Sequence, residues 1–139
     1  MTSDEIVEKF NSHQPAVMQT LAARVLGLDL DAQALRMQFH IGREFCHSID
    51  VVQGGFVTAM LDASMAHVVM AVDGFGTRVS SIDITVSFLR PARAGRFVAV
   101  GGIVRLGRSI GFLKAELFSD KGELIATATS SAHLTRAAA

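Results

Sequence analysis

Residues 54–72 read GGFVTAMLDASMAHVVMAV, and this run decides the fold. Across its nineteen positions Asp62 is the one charged residue, and His67 is the one other ionisable residue. Ala, Met and Leu, which are strong helix formers, recur along the run, and Asp73-Gly74 follows it as a stop signal. The run therefore predicts one long helix that is apolar on nearly every side and has to be buried.

A membrane-spanning helix is the alternative interpretation of this run, and the sequence argues against it. A charged Asp near mid-helix costs about 2.5–3.5 kcal/mol on insertion scales. The flanks carry no Lys/Arg asymmetry, and the residues that follow have the pattern of a soluble sheet. We therefore expect a core helix wrapped by strands, and no contact with a membrane.

Strand-like runs lie on both sides of the predicted helix. Residues 22–41 hold two apolar stretches, and residues 35–40 alternate apolar with polar side chains, which predicts two strands of which the second is half-buried. Residues 81–88 also alternate, which assigns Ser81 to the wet face and Ile82 to the dry face. Further strand-like runs, joined by two hairpin-like turns, are predicted at 97–106, 110–118 and 124–135.

The remaining segments complete a one-domain organisation. Residues 2–5 have the character of a capping box and predict a short helix within an N-terminal segment, 1–20. Residues 42–52 have no clear period and predict a loop that leads into the long helix. We predict a single α+β domain over 1–139, whose core at 21–135 is an antiparallel sheet curled around one helix.

Composition narrows the class of protein. Half of the 139 residues are apolar and the mean hydropathy is +0.37, so part of the apolar surface is expected in a subunit interface. Thirteen Lys and Arg balance thirteen Asp and Glu, and Trp and Tyr are absent, so nucleic-acid binding is not expected. The single cysteine, Cys46, excludes an internal disulfide, and residues 1–5 lack a secretion-signal pattern, so we expect a cytoplasmic protein.

The chain also carries short motifs in a characteristic order. They are Glu44-Phe45-Cys46-His47, Val52-Gln53-Gly54-Gly55, Leu61-Asp62, Ser81-Ile82-Asp83-Ile84, Phe88-Leu89-Arg90-Pro91, Gly107-Arg108-Ser109 and Ala126-Thr127-Ala128. In these motifs the chain resembles the hotdog-fold acyl-CoA thioesterases of the phenylacetate-degradation (PaaI-like) type. The usual pattern of that family is Asn, six residues, His-Gly-Gly, seven more residues and Asp. The resemblance covers residues 26–135.

This resemblance has definite implications for fold, activity and assembly. It implies a hotdog fold, in which an antiparallel sheet of five or six strands wraps one long central helix. It implies hydrolysis of an acyl-CoA to a free acid and coenzyme A, with no cofactor. It also implies homodimers that pair through the sheet edge, often as a dimer of dimers, with the active site between subunits.

The start of the predicted helix has the chemistry of an oxyanion site. A helix N-terminus presents free N–H groups and about half a positive charge. Glycine lets a substrate approach the backbone closely, so the N–H of Gly54 or Gly55 can bind the oxyanion that develops during hydrolysis. The structural alternative is a tight loop-to-helix turn with no catalytic role.

Asp62 is the only carboxylate within the predicted helix, and a buried carboxylate needs a partner or a role. It can act as a general base for water, or as a nucleophile through an anhydride. A position at the helix surface is the structural alternative. The resemblance assigns catalysis to Asp62, and it assigns Ser81, or Ser80 if the loop differs by one residue, to orienting the water or the carboxylate.

Two residues depart from the family pattern. Gln53 stands where His is usual, and its amide can donate a hydrogen bond to substrate but cannot transfer a proton. His47 stands where Asn is usual, and it can donate to the substrate carbonyl or titrate near neutral pH. These differences leave an alternative function open, namely a hotdog domain that binds acyl-CoA or another ligand without hydrolysing it.

Other residues are predicted to contact the substrate. Phe56 and Met65 are assigned to an acyl tunnel beside the helix. Arg90 and Arg108, together with the neighbouring Ser109, are assigned to coenzyme A, whose phosphate groups suit arginine. A solvated rim is the alternative interpretation of each arginine.

His67 and the remaining histidines are predicted to be structural. His67 lies about 140° from Asp62 around the helix, so the two side chains do not face each other. The histidines do not share a metal-ligand spacing with Cys46, and no metal is predicted. The sequence does not reveal which acyl group is preferred.

Overall fold

One long helix, α3, lies against a single curled sheet in the computed structural model, which describes residues 1–136. Residues 137–139 of the predicted domain lie outside the described range. In chain order the elements are α1 (Ser3–Ser12), α2 (Ala16–Thr20), β1 (Arg24–Asp29), β2 (Ala34–Ile41), a short 3-10 helix (Arg43–Phe45), α3 (Gly54–Asp73), β3 (Arg78–Phe88), β4 (Gly95–Leu106), β5 (Ile110–Ser119) and β6 (Leu124–Thr135). The six strands are antiparallel in the order β1-β2-β4-β5-β6-β3.

The elements agree closely with the expectations from periodicity. Helix α3 runs from Gly54 to Asp73, and Gly74 ends it with a φ of 112°, a backbone conformation that glycine adopts without strain. On β2 the alternating residues Leu35 and Phe39 are fully buried, as the predicted half-buried strand requires. The α+β architecture predicted from the sequence is therefore confirmed.

Helix α3 is long and apolar enough to cross a membrane by length and composition alone. Half of the most apolar 18-residue stretch of this helix is nevertheless buried inside the protein, and the fully buried residues of α3 include Met60, Leu61 and Val68. Its neighbours are strands of the sheet, above all β4. In this fold α3 therefore has the position of a core helix.

Helix α3 approaches the sheet closely at Gly101 on β4. A Cβ atom at Gly101 would lie 2.2 Å from the main-chain oxygen of Ser64, far inside van der Waals contact. Ser64 is itself fully buried, and its hydroxyl donates to the Leu61 carbonyl at 2.8 Å. Because glycine has no side chain, the backbone of α3 can pack directly against β4 at position 101.

The N-terminal segment packs beside β1 and the second half of α3. Thr2 caps α1, and the reciprocal hydrogen bonds between Thr2 and Glu5 confirm the predicted capping box. The side-chain amide of Asn11 exchanges two hydrogen bonds, each 2.9 Å long, with the backbone of Val25. These contacts fix α1 to β1 and leave Phe10 against α3.

Strand β3 differs from its predicted alternation because it contains a bulge. Its pairing register with β6 shifts between Ser81 and Asp83. Beyond the shift Ile84 packs on the core, whereas Ser81 points at α3 and Ile82 is 57% exposed. The assignment of Ile82 to the dry face was therefore wrong, because one extra residue in the strand changes the alternation of faces, whereas Ser81 is exposed as predicted.

The C-terminal end of α3 is tied to the end of β6 by an ion pair. Asp73 accepts hydrogen bonds from the guanidinium of Arg136, at 2.7 and 3.3 Å, and from the hydroxyl of Thr77 at 2.8 Å. The same guanidinium donates to the carbonyls of Gly107 and Arg108 in the turn between β4 and β5. One arginine therefore holds three separate parts of the chain together.

This ion pair predicts a pH dependence of stability at acid pH. The hydrogen bonds from Arg136, assisted by Thr77, hold the pKa of Asp73 below its usual value, although burial opposes them. Because the folded-state pKa is depressed, the stabilisation is complete above the unfolded-state pKa of about 3.9 and is lost as the pH falls through the folded value. We expect Asp73→Asn to flatten the free energy of unfolding against pH in that window, as measured by urea titration.

A matched control for this prediction is Asp31→Asn, which changes an exposed carboxylate in the turn between β1 and β2. The acid slope of Asp31→Asn is expected to equal that of the unmodified protein. An unchanged slope in Asp73→Asn would contradict the prediction.

Candidate active site

Asp62 and Ser81 meet where α3 lies beside β3. The Ser81 hydroxyl donates a hydrogen bond to Oδ1 of Asp62 at 2.9 Å. Asp62 is half-buried and Ser81 is exposed, so the carboxylate lies at the margin of the core. A charged acceptor that keeps one oxygen for a second partner is suited to orient a water molecule or attack a carbonyl.

The first turn of α3 presents two main-chain donors. Gln53 is the N-cap residue, and its carbonyl accepts the N–H groups of Phe56 and Val57 at 2.9 and 3.3 Å. The N–H groups of Gly54 and Gly55 donate to no acceptor within residues 1–136. They are therefore available to a ligand, with the positive end of the helix dipole behind them.

Helical spacing relates these donors to the carboxylate. Asp62 follows Gly55 by seven residues, so the two lie on one side of α3, about 10 Å apart along the axis. Thr58 lies between them on the same side, and its hydroxyl donates to the Gly54 carbonyl at 2.9 Å. One face of α3 thus carries a main-chain donor, a hydroxyl and a carboxylate in succession.

A pocket of about 400 Å³ opens at the N-terminus of α3. Its lining combines residues of three segments, namely His47, Val51, Val52, Gly54, Val57, Phe88, Leu89, Arg90, Pro91 and Ala92. The ring of Phe88 covers Gly54, since a Cβ there would lie 3.2 Å from the ring. Asp62 and Ser81 do not line this pocket; they lie further along α3, towards the unpaired edge of β3.

The loop before α3 is held rigidly against the segment after β3. Val52 donates to the Ala92 carbonyl and Ala94 donates to the Asp50 carbonyl, each at 2.8 Å. A salt bridge of 2.8 Å joins Arg93 to Asp50. These bonds order a segment that has no periodic pattern, and they bring His47 to the pocket.

The predicted site residues near the pocket differ in their surroundings. Nδ1 of His47 lies 3.0 Å from the Ser48 hydroxyl, and the imidazole is exposed. The Arg90 guanidinium donates to the Leu124 carbonyl at 2.9 Å. Gln53 is exposed, and its side chain makes no capping hydrogen bond to the backbone of α3.

Other predicted substrate contacts lie away from this pocket. Phe56 packs edge-on against Phe45 with ring centroids 4.8 Å apart, and Met65 is 1% exposed, within the core. Arg108 and Ser109 occupy the turn between β4 and β5, near the C-terminal end of α3. The whole length of β6, at roughly 3.3 Å per residue, separates that turn from Arg90 within one protomer.

Two residues of the site were missed by sequence reasoning. The spacing of Thr58 could have indicated its place in the site, because it lies three residues after Gly55 and four before Asp62 on one helical face. Nothing in the sequence indicated that Phe88 lines a pocket, since its alternation predicted only a buried strand position. Its contact with Gly54 depends on where β3 lies relative to α3.

Comparison with solved structures defines the class of fold. The chain is 36% identical to a phenylacetic acid degradation-related protein from Ralstonia eutropha JMP134, covering 87% of this chain and 91% of that one, with a TM-score of 0.82. The E. coli PaaI protein from the phenylacetic acid degradation operon matches with a TM-score of 0.81 at 17% identity, over 99% and 97% of the two chains. The six-stranded sheet around α3 is thus a hotdog fold, as the resemblance implied.

The sequence itself gives the family. Residues 50–126 match the thioesterase superfamily, and the chain belongs to that family. The medium/long-chain acyl-CoA thioesterase YigI of Escherichia coli K12 is 28% identical over 93 residues, which cover 58% of this chain. The match spans 60% of the length of that relative.

Proposed function

We propose that this protein hydrolyses the thioester bond of acyl-CoA substrates, giving a free carboxylic acid and coenzyme A. The observation that carries the proposal is the Asp62 carboxylate, held by Ser81 on the face of α3 that begins with the free N–H groups of Gly54 and Gly55. Membership of the thioesterase superfamily and the substrate class in the name of YigI support it.

A two-step acyl transfer requires the Asp62 carboxylate and the Gly54 or Gly55 N–H to act on one thioester carbonyl. Because these groups lie about 10 Å apart along α3 in one protomer, we propose that one subunit supplies the N–H donors and the other supplies Asp62. A nucleophile adds to the thioester carbon, the carbonyl oxygen becomes an oxyanion, and the N–H of Gly54 or Gly55 stabilises it. The C–S bond then breaks and the thiol of coenzyme A leaves with a proton. Asp62 either removes the proton from an attacking water or attacks as a nucleophile, forming an anhydride that water hydrolyses. Ser81 orients the carboxylate in both cases.

His47 and Gln53 have supporting roles in this proposal. His47 lines the pocket at the start of α3, where its imidazole can donate to the thioester carbonyl. Gln53 donates through its amide to the substrate and replaces the binding role of a histidine, without proton transfer. Phe56 and Met65 do not line the pocket at the start of α3, so we propose that they pack behind the acyl site without direct substrate contact.

Coenzyme A is proposed to lie at the rim where Arg90 is exposed. A second pocket of about 250 Å³ shares Pro91 with the first and carries Arg93, Arg96 and Lys121. Its acidic residues, Asp120 and Glu123, leave a net excess of one positive charge among these five side chains. If coenzyme A extends out of the first pocket, its phosphate groups would contact these cations directly.

The active unit is proposed to be a homodimer joined through β3, with a dimer of dimers as the larger assembly. Strand β3 pairs with β6 on one side, and its other side has no partner strand in residues 1–136. This edge is eleven residues long and exposes Ile82 and Phe88, which is the kind of edge that pairs with another chain. Antiparallel pairing about a two-fold axis would place the Asp62–Ser81 contact between the two subunits.

The two-fold pairing also gives Arg108 and Ser109 a role. In antiparallel pairing the start of one β3 faces the end of the other, and the turn that holds Arg108 lies beyond the start of β3. Arg108 and Ser109 from the second subunit would then approach the pocket at Phe88 and Arg90. Each active site would use both subunits.

Turnover of a panel of acyl-CoAs tests the proposed function. The panel runs from acetyl-CoA through octanoyl-CoA and palmitoyl-CoA to phenylacetyl-CoA, with release of the coenzyme A thiol as the signal. Hydrolysis of at least one member that depends on Asp62 is the expected result. Binding of the same compounds without turnover would instead favour a ligand-binding hotdog domain.

A charge placed on the β3 edge is expected to dissociate the dimer and remove activity. Ile82→Lys introduces a buried like-charge pair or an unpaired ammonium at the interface, and both are costly. Light scattering should report a monomer, and thiol release should fall at least about tenfold. Val17→Lys is the matched control, because Val17 on α2 is also 57% exposed but lies away from β3. An active dimeric Ile82→Lys protein would contradict the proposed interface.

Adding a methyl group at the oxyanion site is expected to impair catalysis without impairing folding. A Cβ at Gly55 meets no atom within 4 Å in the protomer, so Gly55→Ala should fold with unchanged or higher stability. The methyl group would occupy space needed by the thioester, and kcat/KM should fall roughly 10²-fold. Gly54→Ala is the comparison, since its Cβ contacts Phe88 and should lower both stability and activity. Full activity in Gly55→Ala would contradict a close approach of the thioester to the backbone at position 55.

A further inference from the structure

A third pocket, of about 230 Å³ and separate from the two described above, lies on the other side of α3 from Asp62. Its walls are Phe10, Met70 and Phe75, and its mouth carries the exposed residues Lys9 and His13. The rings of Phe10 and Phe75 are tilted against each other with centroids 4.8 Å apart. An apolar cavity of roughly 150 Å³ is enough to hold benzene, so this pocket can hold a substituted benzene ring.

The imidazole of His67 gives this pocket one directed polar group. Nδ1 of His67 lies 2.8 Å from the Ala63 carbonyl, and because a carbonyl only accepts, Nδ1 carries the hydrogen. Burial lowers the pKa of His67, which favours the neutral ring. Nε2 then holds a lone pair, and it accepts no hydrogen bond from residues 1–136. Nε2 also keeps solvent contact, since the described chain has no fully buried side-chain nitrogen without a partner.

Neighbouring residues fix the imidazole in this position. The ring of Phe10 lies 4.8 Å from the His67 ring, centroid to centroid. The Lys9 ammonium lies 4.3 Å from the centroid of Phe75, a cation–π contact that holds the opposite wall. The pocket therefore combines aromatic walls with a single preorganised acceptor, and such a combination recognises an apolar ring that bears one hydrogen-bond donor.

We propose that this pocket binds a small aromatic ligand with one hydroxyl group, a phenol or a benzylic alcohol, whose O–H donates to Nε2 of His67. The site is separate from the thioesterase chemistry, because His67 and Asp62 lie about 140° apart around α3. Ligand binding here is independent of whether Asp62 is catalytic.

Calorimetric titration with p-cresol tests the proposal, with 4-methylanisole as the matched probe that lacks the donor. The unmodified protein should bind p-cresol about fivefold to tenfold more tightly than 4-methylanisole, because one neutral hydrogen bond to Nε2 of His67 changes the affinity by about this factor. His67→Phe keeps the ring that packs on Phe10 but removes the acceptor, so it should abolish this preference while retaining 4-methylanisole. Asp62→Asn should leave p-cresol binding unchanged.

Nitrogen NMR of the unmodified protein gives a second readout that needs no substitution at His67. On addition of p-cresol, the Nε2 resonance of His67 should shift as its lone pair accepts a hydrogen bond, whereas 4-methylanisole should leave it in place. Equal affinity for the two probes, an unmoved Nε2 resonance, or loss of p-cresol binding in Asp62→Asn would overturn the proposal. Tighter binding of p-toluate than of p-cresol would also overturn it, because the Lys9 ammonium at the mouth would then select the ligand.

Discussion

Replacement of Asp62 by Asn is expected to lower kcat for acyl-CoA hydrolysis by roughly 10²- to 10⁴-fold. Asn keeps the shape of the side chain and an oxygen that can accept the Ser81 hydroxyl, 2.9 Å away in the unmodified protein. It cannot take a proton from water at neutral pH, and it is a poor nucleophile. Thiol release measured under saturating substrate gives kcat directly.

Two further measurements give this experiment its controls. Binding of coenzyme A to Asp62→Asn should persist, because Asp62 does not line the pockets that carry Arg90 and the neighbouring cations. Ser81→Ala should show a smaller loss of about tenfold, since it removes one hydrogen bond to a charged group while the carboxylate remains. Full-rate turnover by Asp62→Asn would contradict the proposed catalytic role of Asp62.

An anhydride on Asp62 can be detected by a single turnover in water labelled with heavy oxygen. In the anhydride route, water that attacks the Asp62 carboxyl carbon leaves label in the protein. In the general-base route, and when water attacks the acyl carbon of an anhydride, label enters the free acid alone. Label found by mass analysis in the peptide that contains Asp62 would therefore establish the anhydride route.

Replacement of Gly101 by Ala is expected to destabilise the fold by about 3 kcal/mol or more. The added methyl carbon would lie 2.2 Å from the Ser64 carbonyl oxygen and 2.4 Å from its carbon, and both atoms belong to the helix backbone. Neither can rotate away as a side chain would, so α3 has to move out of the sheet. Urea unfolding should show the loss as a lower midpoint.

The adjacent glycine provides the matched control. A Cβ at Gly102 would meet the Cε atom of Lys114 at 3.1 Å, on a flexible side chain that can turn away. Gly102→Ala should therefore change the free energy of unfolding by less than about 1 kcal/mol. Equal stability of the two variants would contradict the close approach of α3 to β4.

The sequence predicts α3 and most strands well because their signals are local. The apolar run is bounded by a glycine pair and by Asp73-Gly74, and both boundaries are visible without knowing what surrounds the helix. The capping box at Thr2 is equally local. Each of these features depends on residues within a few positions of one another.

Features that depend on pairing between distant segments are not visible in this way. The face to which Ser81 points depends on a bulge, which exists only in the register of β3 against β6. The distance between Arg90 and Arg108 depends on strand order, since β3 pairs with β6 and not with β4, which follows it in sequence. The resemblance suggested the partnership of Asp62 and Ser81, which periodicity alone does not predict.

The glycine at position 101 has a consequence for redesign. Ser64 follows Asp62 by two residues, so the contact that seats α3 lies on roughly the opposite side of the helix from the carboxylate. Anything that lifts α3 off β4 also pushes Asp62 outward. Substitutions that enlarge the acyl pocket are therefore best made in the loops and on β3. Smaller residues between α3 and β4 would change the position of the helix, and the Asp62 carboxylate would move with it.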